Sequence, residues 1–290
     1  MENHSAAAMP KVSVVIPFYA NVAWLCEAVE SVLQQDYDNL EVIVINDGSQ
    51  EDVSDFLKQY GDKIIYREKE NGGCASARNA GFPYVTGEYI AFMDSDDLWP
   101  KNKLQRQMQK TLQYNAAWSY TDFELFGEHI ETSVKHMFAD RSEGLQNKVS
   151  PYIGTPTVIA KTDLITGHGI TFIEGFRYGQ DNVFWERLLC YAPVLYIPEN
   201  LARVRVRGNN AARRAAVQIH ARVVIYDNCC QYIDGYKEKC SRLYRFAMSL
   251  CRFGRKFVNE SKLGSKGTEL KARVLFAVPY VLFKLDRKLH

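Results

Sequence analysis

The 290-residue sequence predicts an α/β fold, a mostly parallel central sheet flanked by helices, with a C-terminal helical extension. Two observations carry the sheet. Strand and helix signals alternate through residue 113, and the strand segments are continuous apolar runs rather than alternating ones. Such strands are buried on both faces, as in parallel sheets covered by crossover helices. A third observation carries the extension: beyond Asn210 the pattern is helical, and it becomes strongly basic. From Lys237 to His290 there are 14 Lys/Arg and 4 Asp/Glu, a net of +10, whereas the first 236 residues hold 22 and 30, a net of −8. An acidic body with a basic tail is expected.

The elements follow in order. "KVSVVIPFY" (11–19) is β-branched and apolar and stops at Pro17, a buried strand. "NVAWLCEAVESVLQQD" (21–36) places Val22, Leu25, Ala28, Val29, Val32 and Leu33 at helical spacing. "LEVIVINDGS" (40–49) is a second buried strand ending in an Asp-Gly turn, and Ser49 is the expected N-cap of a helix over "QEDVSDFLKQYG". "KIIYREKE" is a short third strand. "NGGCASARNAGFPYV" is a glycine turn opening a helix of small residues, where Ala75, Ser76, Ala77 and Ala80 permit close approach to the sheet. "GEYIAFMD" is the fourth strand and "LWPKNKLQRQMQKTLQ" a further helix. The expected domains are a disordered N-terminus over 1–10, a main domain over 11–212 in two halves (11–100 and 101–212), and a basic helical extension over 213–290.

Composition is that of an ordinary folded protein, 47% hydrophobic and 24% charged, with a formal net charge of only +2. The seven cysteines show no C-x-x-C spacing and no histidine at zinc-ligand spacing, so reduced, structural cysteines in a cytosolic protein are expected. "MENHSAAAMP" lacks a basic n-region and an apolar core, so no signal peptide is expected.

The chemistry concentrates at "YIAFMDSDDLWP" (89–100), where an apolar strand delivers Asp94, Asp96 and Asp97 to one point. Capping the next helix needs one carboxylate, a role open to Asp97. Three adjacent carboxylates raise one another's pKa unless a cation sits among them. Oxygen ligands suit Mg²⁺ or Mn²⁺, which bind through one or two carboxylates plus substrate phosphates. In open α/β sheets, ligands bind beyond the carboxyl ends of strands. Asp94 and Asp47 both sit at such ends, so D-x-D there reads as a metal–diphosphate site. No G-x-G-x-x-G follows the first strand and no G-x-x-x-x-G-K-[ST] occurs, which excludes those two phosphate-binding schemes.

"VSVVIPFYANVAWLCEAVESVLQQDYDNLEVIVINDGSQED" followed by "ENGGCASARNAGFPYVTGEYIAFMDSDD" resembles the family 2 glycosyltransferases of the GT-A fold, closely over 11–100 and more loosely to about residue 210. The resemblance implies a nucleotide-binding half over 11–100 and an acceptor half over 101–212. It implies sugar transfer from a nucleoside-diphosphate sugar, with UDP favoured, to an acceptor hydroxyl. By the same resemblance Pro17, Phe18 and Tyr19 line the base and ribose, Asp47 accepts a hydrogen bond from uracil, and Arg78 lies near the nucleotide. Asp94, Ser95 and Asp96 match the D-x-D, with Asp94 facing ribose or metal and Asp96 the metal and diphosphate. Each position also has a plainer reading: Pro17 ends a strand, Asp47 suits an Asp-Gly turn, and Arg78 makes a surface ion pair.

"TPTVIAKTDLITGHGITFIEGFRYGQDNVFWERLLC" (155–190) resembles the acceptor side, where the family carries a Glu-Asp pair; here it is Gln180-Asp181. An acceptor hydroxyl needs a general base. Asp181 is the candidate, with inversion at the sugar carbon. The plainer reading of Asp181 is an early-turn carboxylate favoured by the helix dipole. "LARVRVRGNN" (201–210) resembles the late Tyr-Arg…His motif, with Arg205 at the arginine, Arg207 at the histidine and Val204 at the tyrosine. A guanidinium cannot ligate metal. Arg205 or Arg207 is expected to neutralise the leaving diphosphate, the alternative being a basic strand edge.

The tail ends in an apolar run, Val274 to Phe283, bracketed by Lys271, Arg273, Lys284, Arg287 and Lys288. It is shorter than the ~20 residues a bilayer span requires. A basic-flanked apolar helix reads as lying in an anionic membrane interface, the alternative being packing on the body or in a dimer. No nucleic-acid-binding motif accompanies the tail, and no nucleic-acid partner is expected. The expectation is therefore a metal-dependent (Mn²⁺ or Mg²⁺) transferase, peripheral on the inner face of the cytoplasmic membrane. It would extend a lipid-linked saccharide in capsule, O-antigen or exopolysaccharide synthesis. The alternatives are a non-catalytic nucleotide-sugar-binding or membrane-docking module and a protein-modifying glycosyltransferase. A nucleotidyltransferase would want a glycine-rich basic loop where "PFYANVAW" stands.

Overall fold

The computed structural model describes residues 9–127, 142–147, 153–176, 178–207, 215–258 and 266–289. It divides into two compact units, Met1–Gly175 with Leu188–Val206, and Phe176–Arg187 with Arg207–His290.

Among the described residues, the first unit holds one sheet built from β1 (Val12–Phe18), β2 (Leu40–Asn46), β3 (Ile65–Glu68), β4 (Tyr89–Phe92), β5 (Trp118–Gly127), β6 (Gly144–Gln146), β7 (Ile159–Lys161) and β8 (Val194–Val206). Its order is β3-β2-β1-β4-β7-β5-β8-β6. The β3-β2-β1-β4 portion is parallel, as is the β5–β8 pair, while β7 runs antiparallel between β4 and β5 and β6 is antiparallel at the edge. The mostly parallel sheet expected from the apolar strands is present. β1 and β4 are buried at every position, as strands covered on both faces must be.

The helices of this unit are α1 (Val22–Leu33), α2 (Ser54–Tyr60), α3 (Gly73–Gly81), α4 (Lys103–Gln113) and α5 (Thr162–Thr166). Leu25, Val29 and Val32 of α1, with Leu104 and Met108 of α4, form one core with Val14, Ile16 and Val44. Val15 points to the opposite face, because strand side chains alternate. There α3 lies so close that a Cβ on Gly81 would sit 2.7 Å from Val15 Cγ1. The run of small residues in "CASARNAG" is what permits this approach.

The expected cap Ser49, and the capping role left open to Asp97, are not observed. Ser49 does not start α2; its hydroxyl accepts from the Glu51 N–H (3.2 Å) within a turn. The helix begins at Ser54, whose N–H donates to Asp52 Oδ1 at 2.9 Å. Asp97 does not cap α4, which begins at Lys103.

Register brings the strand ends together. Phe18 pairs with Asn46 and Val15 with Phe92. The Asp47 N–H donates to the Phe18 carbonyl at 2.7 Å and the Met93 N–H to the Val15 carbonyl at 3.1 Å. Tyr19, Asp47 and Asp94 therefore leave the sheet at its carboxyl edge.

In the second unit, α6 (Gln180–Leu189) contributes its first residues, followed by α7 (Ala215–Tyr232), α8 (Tyr236–Lys239), α9 (Arg242–Arg255) and α10 (Lys266–Leu289). Val217, Val223 and Tyr226 of α7 pack with Ala247, Met248 and Cys251 of α9 and with Ala272, Phe276 and Phe283 of α10. The Glu269 carboxylate receives the N–H groups of Ala215 (2.9 Å) and Ala216 (3.3 Å), closing the start of α7. The expected boundary at 212/213 and nearly all of the expected disordered segment 1–10 lie outside the described residues. No helix among the described residues is long and apolar enough to cross a membrane.

The amino edge of the sheet is tied by Glu41. Burial would raise its pKa, but Lys11 (2.7 Å), Ser13 and Thr86 outweigh this and hold the carboxyl at about 2. Because the folded value lies below the unfolded one, ~4.3, this contribution is present above the unfolded pKa and lost as pH falls toward 2. Glu41→Gln is expected to destabilise the protein at pH 7 by about 1–2 kcal/mol. It should also flatten the stability profile between pH ~5 and ~2, as measured by urea unfolding across that range.

Candidate active site

The site in the first unit begins with a glycine turn. In "NDGS", Gly48 takes φ +76°, and a Cβ there would meet the Asn71 nitrogen at 2.8 Å; glycine alone fits. The turn delivers Asp47, 2% exposed, to the start of α3. Asp47 Oδ1 accepts from the Gly72 N–H (3.0 Å) and from Lys69 Nζ (2.8 Å), and Oδ2 accepts from the Gly73 N–H (2.8 Å). No side chain of its own caps α3. Asp47 thus closes a helix N-terminus whose exposed N–H groups favour a negative charge. Contact with a uracil ring, as the resemblance implies, would use lone pairs left over after these bonds.

The acidic turn follows β4. Asp94, Ser95 and Asp96 are partly exposed and Asp97 is buried. The Asp97 N–H donates to the Asp94 carbonyl (3.1 Å). Arg78, on α3 and 3% exposed, donates from Nη2 to Asp94 Oδ1 at 2.5 Å, with its guanidinium 5.1 Å from the Phe172 ring centroid. Its guanidinium is buried while Asp94 stays partly exposed, so the pair joining α3 to the strand end is half-buried rather than a surface one.

Arg205 holds the turn from the other side. Its backbone N–H donates to Asp97 Oδ1 (2.8 Å), its Nε to the Asp96 carbonyl (2.8 Å) and its Nη2 to Glu27 Oε2 (2.5 Å). The guanidinium lies over the rings of Phe126 (4.5 Å) and Trp24 (5.1 Å). Leu98 and Arg203 exchange backbone hydrogen bonds at 3.0 and 2.8 Å, so the end of β8 is laced to the turn. Asp97 and Arg205 therefore shape the turn. Arg207 follows β8 and is exposed.

Of the three residues expected against the base and ribose, Pro17 and Phe18 are buried beneath the edge, and Tyr19 presents an exposed ring. The start of α1, the other place where N–H groups could cradle a phosphate, is closed by Glu51. Its carboxylate accepts from the Asn21 and Val22 N–H groups at 2.6 and 2.8 Å. Those bonds hold the Glu51 carboxyl below its ordinary pKa. Glu51, Lys69, Glu27 and Trp24 were not legible as site residues. Each meets its partner across 22 or more residues, with no local pattern to mark it.

The acidic turn fits a divalent cation. Asp94 and Asp96 offer hard oxygen donors beside a compensating guanidinium, while Asp97 is committed to backbone. No cluster of three or more His, Cys, Asp or Glu side chains fit to hold a metal occurs among the described residues. Phosphate oxygens and water would complete the shell, the usual arrangement for Mg²⁺ and Mn²⁺.

In the second unit, Asp181 lies in the first turn of α6, where its Oδ1 accepts from the Asn182 N–H at 2.8 Å. Gln180 is buried beside it. Further along α6, burial pushes the Glu186 carboxyl up to about 7. The phenol of Tyr236 is pushed up by burial and then by the Glu186 charge. The sequence offered no sign of this second perturbed carboxyl.

The sheet, its ligand-facing edge and the acidic turn define a nucleotide-diphospho-sugar transferase fold. Residues 13–186 match the model of the family "Glycosyl transferase family 2", and the chain belongs to that family. An uncharacterised glycosyltransferase of Rickettsia bellii is 38% identical over 208 residues, 69% of this chain and 29% of that protein. The chain thus spans less than a third of that relative's length. The putative teichuronic acid biosynthesis glycosyltransferase TuaG of Bacillus subtilis is 32% identical, covering 69% of this chain and 81% of its own. The Escherichia coli UDP-Glc:alpha-D-GlcNAc-diphosphoundecaprenol beta-1,3-glucosyltransferase WfgD is 29% identical over 61% of this chain and 69% of its own. Among solved structures, S. aureus TarS 1–349 with UDP-GlcNAc shares the fold at TM-score 0.62 and 18% identity, covering 96% of this chain and 92% of its own. The mannosyltransferase PcManGT of Pyrobaculum calidifontis, solved with GDP-Man and Mn²⁺, also has TM-score 0.62, with 17% identity and coverage of 98% and 81%.

Removing the Arg205 side chain would leave the Asp96 carbonyl and Glu27 without their cationic donor. Arg205→Ala is expected to cost about 2 kcal/mol of stability and to weaken nucleotide binding. Arg205→Lys should restore little of either, because one ammonium cannot reproduce the guanidinium fork. Thermal unfolding and nucleotide titration check both.

Proposed function

We propose that this protein is an inverting, metal-dependent glycosyltransferase. It moves a sugar from a UDP-sugar to a hydroxyl of a lipid-linked saccharide in surface-polysaccharide synthesis, working peripherally on the inner face of the cytoplasmic membrane. The observation that carries this reading is the convergence of Tyr19, the Asp47–Lys69 pair and the Asp94-Ser95-Asp96 turn on one sheet edge. Family membership supports the reaction class. TuaG, a putative teichuronic acid biosynthesis glycosyltransferase, and WfgD, a glucosyltransferase acting on alpha-D-GlcNAc-diphosphoundecaprenol, support the acceptor class.

In this reading Tyr19 covers the base, with Pro17 and Phe18 as its buried support. Asp47 keeps the Gly72–Gly73 turn and Lys69 in place as one wall of the donor site. The N-termini of α1 and α3 carry protein carboxylates, so neither of those dipoles is open to the diphosphate. That charge falls instead to the acidic turn, where Asp94 and Asp96 would hold Mn²⁺ or Mg²⁺. Once bound, such an ion would neutralise the diphosphate and polarise its bond to the sugar. Ser95 presents a hydroxyl to the donor, Arg78 orients Asp94, and Arg205 keeps the turn in shape. Neutralising the leaving diphosphate is assigned to Arg207. Removing the acceptor proton is assigned to Asp181, so that the acceptor oxygen attacks the sugar carbon from the face opposite the diphosphate, which leaves with its bonding electrons.

Thermal shift with UDP, GDP, dTDP and their sugars, with and without Mn²⁺, tests the donor half. We expect a shift specific to uridine nucleotides that requires Mn²⁺ and disappears in Asp96→Ala. Unchanged nucleotide affinity in that variant would remove the metal assignment. Asp181→Asn should keep the donor-induced shift and lower turnover by about a hundredfold or more. Glu186→Gln should transfer sugar normally; the reverse pattern would move the base to Glu186.

A further inference from the structure

The second unit carries an apolar surface that its own packing does not use. Helix α10 is apolar on two sides. Ala272, Phe276, Pro279 and Phe283 face inward and are buried. On another side Leu270, Val274, Val278, Val281 and Leu285 recur at spacings of four, four, three and four, and all are exposed, Val274 by 72%. Helix α9 and the turn after it repeat the pattern. Ala247, Met248, Cys251 and Gly254 are buried, while Phe246, Phe253 and Phe257 are exposed, Phe253 and Phe257 by 56% each. The two outer stripes meet. Phe253 and Phe257 line a groove of about 480 Å³ together with Leu270, Lys271, Val274 and Leu275. Soluble surfaces rarely leave contiguous apolar area of this kind without an interaction that uses it.

The charge around the stripes selects the partner. Residues 242–258 contain five Arg/Lys and no Asp or Glu. The two acids of α10 are both engaged within the unit. Glu269 caps α7 and pairs with Arg273 at 3.2 Å, and Asp286 accepts from Ser241. Lys271, Arg273 and Lys284 are exposed on α10, as is Lys256 beside the α9 stripe, while Arg252 there is paired with Asp227 of α7. An apolar face bordered by cations, with its acids turned to internal bonds, is complementary to an anionic bilayer surface: acyl chains for the stripes, phosphates for the rim.

We propose that the outer faces of α9 and α10 form one membrane-docking surface. Phe246, Phe253 and Phe257 with Val274, Val278 and Val281 enter the interface of an anionic bilayer, and Lys271 and Lys284 rest on its phosphates. The site deepens the lipid-linked acceptor reading, on which its biological purpose rests, but its physical basis is independent of it.

Flotation of the full chain with phosphatidylcholine vesicles, with and without phosphatidylglycerol, tests the surface. The wild type should float with anionic vesicles only, and less so as salt rises. Phe253→Gln, Phe257→Gln, Val274→Gln and Val278→Gln together should lower binding more than about tenfold. These positions are exposed and glutamine is a good helix former, so the circular dichroism spectrum and the UDP-induced thermal shift should be unchanged. Lys271→Glu with Lys284→Glu should weaken binding to anionic vesicles on the same protein background. Vesicle binding that survives the fourfold substitution overturns the proposal, as does a wild type that never floats. A wild-type dimer that becomes monomeric in the fourfold variant, without flotation, assigns the face to a second copy instead. Loss of the UDP shift in an otherwise vesicle-binding wild type would count against the transferase reading and leave the docking surface standing.

Discussion

Everything at the ligand-facing edge depends on how three carboxylates in four residues are kept in one tight turn. Left alone, Asp94, Asp96 and Asp97 would repel one another and splay. The fold divides the problem among distant elements. Arg78, buried on α3, neutralises Asp94; the backbone of β8 binds Asp97 and the Arg205 side chain clamps the Asp96 carbonyl. α3 and β8 approach the turn from different parts of the sheet, so its shape is a property of the whole first unit. Close packing of α3 through Gly81 and the lacing of Leu98 to Arg203 are therefore as much a part of the site as the aspartates.

The same edge also closes off an alternative solution. A helix N-terminus after a strand is a ready anion site, and α1 and α3 each offer one beside the acidic turn. Both receive protein carboxylates, from Glu51 and Asp47. It agrees with the lack of either glycine-rich phosphate motif in the sequence. In the reading proposed above, a divalent ion at the acidic turn would meet the diphosphate instead, and transfer would then respond to the concentration of that ion.

β1 to β4 were legible because continuous β-branched runs have few other uses, whereas β5 to β8 were not read as strands. The strand ends were legible because turn residues and charge interrupt those runs abruptly at Asp47 and Asp94. What failed to show was non-local. Ser49 carries a good capping side chain, yet the backbone turns once more and Asp52 takes the first N–H group of α2. Arg205 was readable as a cation near phosphate, but its three hydrogen bonds go to the turn and to Glu27, on a helix 178 residues away. Burial of the Arg78 guanidinium and the raised Glu186 pKa depend on packing that no local pattern encodes. Asp181 sits in the early turn that either of its readings requires, so its position alone does not choose between them.

Helix α10 places two different demands on one stretch of chain. Its inner residues fill a packed core, where volume and shape are constrained to within a methylene. Its outer residues are exposed. A bilayer, the partner proposed above, would ask only for hydrophobicity, so Val, Leu, Ile, Phe or Met would be nearly interchangeable at 274, 278 and 281, while 272, 276 and 283 should tolerate almost none of those exchanges. A single hydropathy profile merges the two sides into one apolar run, although they would drift at very different rates as the sequence diverges.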